Sequence, residues 1–333
     1  MSEASLQDTA HALVAEGKGI LAADESTGTI KKRLDSIQVE STEANRRDYR
    51  TLLFTTPGLG DHISGVILFD ETLRQDAADG TPLVEILQDA GIIPGIKVDK
   101  GAKPLAGHPD ETVTEGLDGL RERLAEYAAL GARFAKWRAV YRIGEAIPSP
   151  ACITANAQAL ARYAALSQEA GLVPIVEPEV LMDGDHDIED CEIVTEEALR
   201  TVFGELAVQD VLLEGMLLKT NMVISGADCA EQAGVEEVAE RSLQCLLRCV
   251  PAAMPGIVFL SGGQNDEVAT RHLDAMNKLP TVKPWKLSFS YGRALQAAPL
   301  KAWGGQAANV AAAQAALMER AEANGAATLG QYA

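Results

Sequence analysis

The chain alternates short apolar runs with longer stretches in which apolar residues recur at helical spacing. The eight runs end about 27 to 46 residues apart, which leaves room for a strand, a helix and their loops. They cover 20–23, 65–69, 92–98, 133–137, 173–177, 211–219, 256–260 and 285–289. Near-continuous apolar strands are typical of a parallel sheet that is covered on both faces.

Five of the intervening stretches show clear helical spacing, at 117–130, 155–170, 196–206, 235–249 and 266–277. We expect seven or eight helices between the strands. The pattern therefore predicts an α/β protein, a (β/α)8 TIM barrel that forms a single domain over 1–333. An Ala-rich stretch at 307–317 predicts one extra C-terminal helix outside the barrel. A doubly wound open sheet is the alternative, but no Gly-x-Gly-x-x-Gly follows the first strand.

Polar residues stand where the eight runs end, and barrel enzymes place their chemistry at the carboxyl ends of the strands. These residues are Asp24, Asp70, Lys97, Lys136, Glu177, Lys219, Ser261 and Ser290. Loops are polar anyway, so the informative part is the residue type. Three lysines and several carboxylates are directed at one mouth, which is the equipment for amine-based covalent catalysis on a carbonyl.

Lys219 closes a buried run, and an ammonium buried there is costly unless it is paired or loses its proton. A nucleophilic lysine must be neutral, whereas a free lysine has a pKa of about 10.4. We expect desolvation and the neighbouring Lys136 to lower its proton affinity, and Glu177 or Glu179 to carry protons. The alternative is that Lys219 snorkels from the strand end or pairs with Glu214.

Two loops near the end of the chain are candidates for anion binding. Ser261-Gly262-Gly263 follows the seventh run, and Ser290-Tyr291-Gly292-Arg293 follows the eighth. Barrels bind phosphate with these loops, because small residues let backbone N–H groups approach the anion. Arg293 adds a guanidinium that can donate two parallel hydrogen bonds to one anion. Lys32 and Arg33, with Lys97 and Arg138, could hold another phosphate across the mouth.

Composition excludes several classes of function. The formal net charge of −19 argues against nucleic acid or an anionic membrane as partner. No run reaches the roughly 18 apolar residues of a membrane span, and the N-terminus lacks the regions of a signal peptide, which predicts a cytoplasmic protein. The five cysteines and five histidines are scattered, so we expect neither a disulfide framework nor a metal site.

Seven segments together carry a resemblance to class I (Schiff-base) fructose-bisphosphate aldolases. They read GILAADESTG at 19–28, GIKVDKG at 95–101, FAKWR at 134–138, VPIVEPE at 173–179, LLK at 217–219, FLSGGQ at 259–264 and SYGRALQ at 290–296. The resemblance implies a lyase of glycolysis and gluconeogenesis that reversibly cleaves fructose 1,6-bisphosphate to dihydroxyacetone phosphate and glyceraldehyde 3-phosphate. It also implies a homotetramer and a reaction without metal or other cofactor.

The resemblance assigns roles to individual residues. Lys219 is similar to the Schiff-base lysine, Asp24 to the base for the C4 hydroxyl, and Glu177 to the residue that handles protons during Schiff-base formation. Glu179 and Lys136 tune the charge around them. The remaining matches concern phosphate: Ser261, Gly262, Gly263 and Arg293 for C1, Ser26, Arg33, Lys97 and Arg138 for C6, and Arg46 as a further basic position. Ser290 and Gly292, from the loop after the eighth run, complete the candidate phosphate-binding residues.

Two departures from the family pattern leave alternatives open. Thr220 stands where relatives have proline, which constrains the preceding residue. The chain stops at Tyr332-Ala333, without the long tail whose tyrosine assists proton exchange in many relatives. The alternatives are a Schiff-base aldolase for sedoheptulose bisphosphate or fructose 1-phosphate, and a barrel that serves as a non-catalytic scaffold.

Overall fold

Parallel strands close into a barrel in the computed structural model, which describes residues 3–333. Within that range the barrel strands are β1 (Gly19–Ala23), β2 (Ile63–Leu68), β3 (Ile93–Lys97), β6 (Phe134–Tyr141), β7 (Val173–Val180), β8 (Leu217–Thr220), β9 (Gly256–Phe259) and β10 (Lys286–Tyr291). They are hydrogen-bonded in the order β1-β10-β9-β8-β7-β6-β3-β2, and β2 pairs with β1. A separate antiparallel hairpin consists of β4 (Ala102–Pro104) and β5 (Thr112–Thr114). The predicted α/β TIM barrel is confirmed.

Helices connect the strands and surround the barrel. They are α1 (Glu3–Leu13), α2 (Thr27–Asp35), α3 (Glu43–Phe54), α4 (Asp70–Leu73), α5 (Leu83–Asp89), α6 (Leu120–Ala129), α7 (Pro150–Glu169), α8 (Ile188–Val208), α9 (Val235–Cys249), α10 (Asp266–Lys278), α11 (Arg293–Trp303) and α12 (Val310–Thr328). The sequence pattern located five of these correctly to within a few residues, except that α8 begins earlier. It missed short helices such as α2, in which only Ile30 and Leu34 are buried and the apolar stripe is too brief to recognise.

The predicted strand over 211–219 is wrong in its first half. Leu213–Gly215 forms a turn of 3-10 helix, and the strand covers only Leu217–Thr220. The side chain of Gln168 accepts from the Leu212 N–H at 2.9 Å and donates to the carbonyls of Leu212 and Gly215 at 2.8 and 3.2 Å. Because a side chain satisfies this backbone, the apolar segment needs no partner strand.

Strands β6 and β7 are longer than predicted, which corrects the idea that Lys136 and Glu177 end their strands. Their pairing continues through Arg138 opposite Glu177 to Tyr141 opposite Val180. The prediction ended each strand near its first charged residues. The ladder instead continues past these charges toward the carboxyl end of the strands.

Apolar side chains fill the barrel, and they include Phe134, Ile175, Leu217 and Val258. The ring of Phe134 occupies space that Gly95 leaves empty, since a Cβ at Gly95 would overlap it. Alternate residues of a strand point to the same side, so Lys136, Glu177 and Lys219 form the next layer above three of these residues. The carboxyl-end mouth therefore carries the charges, and the side chains below it are apolar.

The last helix is longer than the predicted 307–317, because its buried face continues through Ala321 to Ala327. After it, the Tyr332 N–H donates to Asp274 Oδ1 at 2.9 Å, and Lys278 donates to the Tyr332 carbonyl at 3.2 Å. Asp274 and Lys278 lie in the last turns of α10, which lead back to the start of β10. Tyr332 is thus held at the end of the barrel opposite the mouth.

Two expectations concern the chain ends and membranes. Met1 and Ser2, part of the segment in which we expect no signal peptide, lie outside the described residues. Across residues 3–333, no helix is both long and apolar enough to cross a membrane.

Candidate active site

An open cavity of about 870 Å³ occupies the mouth of the barrel. Its size is within the range of small-molecule sites. The predicted site residues that line it are Asp24, Ser26, Arg33, Lys97, Lys136, Arg138, Glu177, Glu179, Lys219, Ser261, Gly262, Gly263, Ser290, Gly292 and Arg293. Residues that are far apart in the chain, from β1 to α11, therefore meet at one place.

Lys219 belongs to a buried row of alternating charges at the centre of the cavity. Its Nζ lies 3.1 Å from Glu177 Oε1. The other oxygen of Glu177 lies 3.4 Å from Lys136 Nζ, and that ammonium is 2.6 Å from Asp24 Oδ2. Lys219 is only 4% exposed, so it does not snorkel to solvent, and its partner is Glu177 rather than Glu214.

The charges in this row shift the pKa values of Asp24, Glu177 and Lys136. Burial alone disfavours the Asp24 carboxylate, but the charges of Lys136 and then Lys219 outweigh burial and hold the pKa of Asp24 well below its ordinary value. The same competition lowers the pKa of Glu177. Burial also opposes the Lys136 ammonium, but Asp24 and Glu177 raise its pKa above the ordinary value. The expected influence of Lys136 on Lys219 stays a prediction, since Lys136 is shared between two carboxylates.

The loops after β9 and β10 form a cradle of small residues. Gly262 and Gly263 have φ of +46° and +89°, a left-handed conformation that favours glycine. Arg293 Nη2 is 3.3 Å from the position that a Cβ at Gly263 would occupy, so its guanidinium lies directly over this loop. Ser290 Oγ is buried and has no hydrogen-bond partner. Together with the N-terminus of α11, these groups can bind an anion such as phosphate.

The basic residues predicted to hold a second phosphate all line the cavity, but their side chains have different neighbours. Lys97 lies 3.4 Å from Asp99, and the Arg138 side chain forms an ion pair with Glu179. Arg33 lies elsewhere in the cavity, where its Nη2 is 3.6 Å from the Cβ position of Gly292. Arg33 therefore stands beside the β10 loop rather than across the mouth from it.

The family model for class I fructose-bisphosphate aldolase matches residues 5–333. The chain belongs to this family. It is 63% identical over 333 residues to a protein from Xanthomonas campestris pv. campestris named probable fructose-bisphosphate aldolase class 1, covering 100% of this chain and 99% of that protein. It is 60% identical over 316 residues to the cytosolic fructose-bisphosphate aldolase 6 of Arabidopsis thaliana. That match covers 95% of this chain and 88% of the Arabidopsis protein.

A solved structure extends the likeness to the fold. The fructose-bisphosphate aldolase of Plasmodium falciparum, crystallised with TRAP and a small-molecule inhibitor, is 52% identical and superimposes with a TM-score of 0.98. The match covers 99% of this chain and 95% of that one. This chain is accordingly a class I fructose-bisphosphate aldolase, a lyase of a class that uses a Schiff-base lysine and no metal ion.

Two of the residues singled out in the sequence lie outside the aldolase cavity. Arg46 donates to both oxygens of Glu71, at 2.7 and 2.6 Å, and to the Ser41 carbonyl. Asp70 begins α4 and pairs with Arg74 at 3.0 Å. Conversely, sequence reasoning missed Glu25, whose carboxylate lies in the cavity wall. Its only signal was its place in the motif directly after Asp24.

A second open groove, of about 790 Å³, lies between α8 and α9 on the outside of the barrel. Its arginines are paired with its glutamates, as in Arg241 with Glu192 at 2.7 Å and Arg248 with Glu196 at 2.7 Å. It holds no lysine and no unpartnered nucleophile, so the aldolase chemistry belongs to the mouth. No group of three or more His, Cys, Asp or Glu within the described chain is arranged to bind a metal ion.

Proposed function

We propose that this enzyme reversibly cleaves fructose 1,6-bisphosphate to dihydroxyacetone phosphate and glyceraldehyde 3-phosphate, through a covalent intermediate on Lys219. The observation that carries the proposal is the contact between the buried Lys219 ammonium and Glu177 Oε1, 3.1 Å apart, within a cavity that a phosphate cradle also lines. A lysine becomes a nucleophile once a neighbouring base removes its proton, and Glu177 Oε1 lies 3.1 Å from the Lys219 nitrogen.

Schiff-base formation requires three proton movements, and Glu177 can serve the first and the last. Glu177 takes a proton from the Lys219 ammonium, the free amine attacks the C2 ketone of the substrate, and one amine proton passes to the ketone oxygen to give the carbinolamine. The carbinolamine oxygen then leaves as water after it receives a proton from Glu177. The resulting iminium withdraws electrons from the adjacent C3–C4 bond.

Asp24 acts in the next step. It takes the proton of the C4 hydroxyl, the C3–C4 bond breaks, and the electron pair enters the iminium to give an enamine. The ion pair with Lys136, at 2.6 Å, keeps Asp24 ionised and therefore ready to accept that proton. Tyr332 is held at the opposite end of the barrel, so we assign it no part in protonating the enamine carbon.

The cradle of Ser261, Gly262, Gly263, Ser290 and Gly292 with Arg293 would bind the C1 phosphate. We add Arg33 to this group because it stands beside Gly292. The sequence resemblance had placed Arg33 at the C6 phosphate instead. Ser26, Lys97 and Arg138 remain for that phosphate, with Glu179 holding Arg138 in place.

Replacing Arg293 with alanine is expected to raise KM for fructose 1,6-bisphosphate about ten- to a hundredfold, since a charge-assisted contact to phosphate is lost. The matched control is Arg46→Ala, which removes an arginine outside the cavity and should leave KM unchanged. Steady-state kinetics on both variants checks this. Equal increases in KM would place Arg46 in the phosphate site after all.

Substrate choice tests the function itself. With chelator present, kcat/KM should be at least about tenfold higher for fructose 1,6-bisphosphate than for fructose 1-phosphate, because the latter lacks the phosphate that Lys97 and Arg138 would contact. Higher efficiency with sedoheptulose bisphosphate would replace the proposed substrate. No turnover of any phosphosugar would favour the non-catalytic scaffold.

Two further parts of the proposal rest on family membership. We take residues 1–333 as one domain that works as a homotetramer, and the enzyme as cytoplasmic, like the cytosolic Arabidopsis relative. Light scattering on the purified protein tests the tetramer, and a monomeric mass would refute it.

A further inference from the structure

Glu25 is a buried carboxylate that the proposed chemistry does not use. It directly follows Asp24, and its side chain is only 4% exposed. Its Oε1 lies 2.6 Å from Arg33 Nη1 and accepts from Gln296 Nε2 at 2.8 Å. Its Oε2 accepts from Arg50 Nη2 at 2.6 Å. Both oxygens are therefore engaged by groups from three different helices.

All but one of these partners are fixed in the core. Arg50 is 2% exposed, and Gln296 is completely buried. Gln296 also donates to the Ala22 carbonyl at 2.7 Å, which ties the end of β1 to α11. Arg33 is the exception, because its side chain is 24% exposed and lines the cavity. Glu25 therefore connects a rigid frame to one arginine at the edge of the site.

The guanidinium of Arg33 can donate hydrogen bonds through Nη1 on one side and Nη2 on the other. Nη1 faces Glu25, whereas Nη2 lies 3.6 Å from the Cβ position of Gly292, next to the start of α11. A guanidinium is planar and rigid, so fixing one edge fixes the direction of the other. The free edge of Arg33 is thereby presented to the phosphate cradle before any ligand arrives.

We propose that Glu25 is a positioning residue that orients Arg33 toward the phosphate bound at the β10 loop. The inference rests on the proposed phosphate site. A carboxylate near an anion site could instead weaken binding by repulsion. Here two arginines outweigh the single charge of Glu25, so its orienting effect should dominate.

The central experiment compares Glu25→Gln with Glu71→Gln, using inorganic phosphate as a competitive inhibitor of cleavage. Glu71 is a matched control because it also engages an arginine through both oxygens, yet it lies outside the cavity. For Glu25→Gln we expect the phosphate inhibition constant and KM to rise about tenfold, with kcat changed less than about threefold. Glu71→Gln should leave all three near wild-type values.

Two further variants keep the result interpretable. Glu25→Asp retains the charge that the buried Arg50 needs but shortens the side chain, so it should fold and still weaken phosphate binding severalfold. In an Arg33→Ala background, Glu25→Gln should cause no additional loss, because the residue through which it acts is gone.

The outcomes separate the two levels of the proposal. If Arg33→Ala alone leaves phosphate inhibition unchanged, the assignment of Arg33 to the phosphate site is wrong. If Arg33→Ala weakens inhibition while Glu25→Gln and Glu25→Asp bind phosphate as the wild type does, the site stands and the role of Glu25 is refuted. Tighter phosphate binding in Glu25→Gln would show that Glu25 repels the anion, which also overturns the inference.

Discussion

Replacement of Lys219 by methionine is expected to reduce kcat/KM for fructose 1,6-bisphosphate by at least roughly a thousandfold, because no amine remains to form the covalent intermediate. Borohydride added to the wild-type enzyme with dihydroxyacetone phosphate should attach one reduced ligand to the peptide that carries Lys219. The same treatment of the variant should leave its mass unchanged. Intact mass and peptide mapping measure both.

The matched control for this variant is Lys278→Met. Lys278 is also a lysine in an ion pair, with Asp274 at 2.6 Å, but its side chain is 52% exposed and remote from the mouth. It should retain full activity and label normally. Borohydride labelling of Lys219→Met to the wild-type level would mean that another lysine carries the Schiff base.

Replacement of Lys136 by methionine is expected to destabilise the folded protein by about 3–5 kcal/mol at pH 7, since it leaves Asp24 and Glu177 buried without their shared cation. In the wild type the pKa of each carboxyl is lowered. That lowering adds stability above the ordinary carboxyl pKa of about 4, and the added stability is lost as pH falls through the folded-state values.

The variant loses this contribution, and burial then raises the pKa of both carboxyl groups. The stability deficit should therefore be largest near neutral pH and shrink as the pH falls below about 4, where both carboxyl groups are protonated in the variant and in the unfolded chain. Denaturant unfolding of the wild type and the variant, at neutral pH and below about pH 4, measures this deficit. An equal deficit at both would assign the loss to packing alone. Lys219 forms its ion pair with Glu177, whereas Lys136 is shared by two carboxylates. The variant Lys219→Met should therefore show a smaller pH-dependent deficit.

Periodicity and residue type predicted the barrel and most of its mouth. A parallel barrel brings strand ends together whatever the loops do, so the sequence alone is enough to group Asp24, Lys136, Glu177 and Lys219. The same logic failed where a contact distant in sequence decides local structure. Nothing near the apolar segment 211–216 indicates that Gln168 satisfies its backbone.

The direction of side chains was equally out of reach of the sequence. Arg33 and Arg46 both resemble family positions, yet Arg33 faces the cavity and Arg46 turns away to Glu71. Spacing along a helix indicates which face a residue occupies, but not which carboxylate will bind it. For the same reason the role of Glu25 emerges only when α2, α3 and α11 are seen together.

The apolar floor of the barrel supports the Lys136 ammonium group. Phe134 and Lys136 are two residues apart on β6, so the ring lies directly beneath the lysine. Gly95 on the neighbouring strand has no side chain, and the ring occupies the space that a Cβ would need. A methyl group at Gly95 would push Phe134 and the strand that carries it, and Lys136 would shift relative to Asp24. The absence of one side chain deep in the core thus sets the height of Lys136 above it.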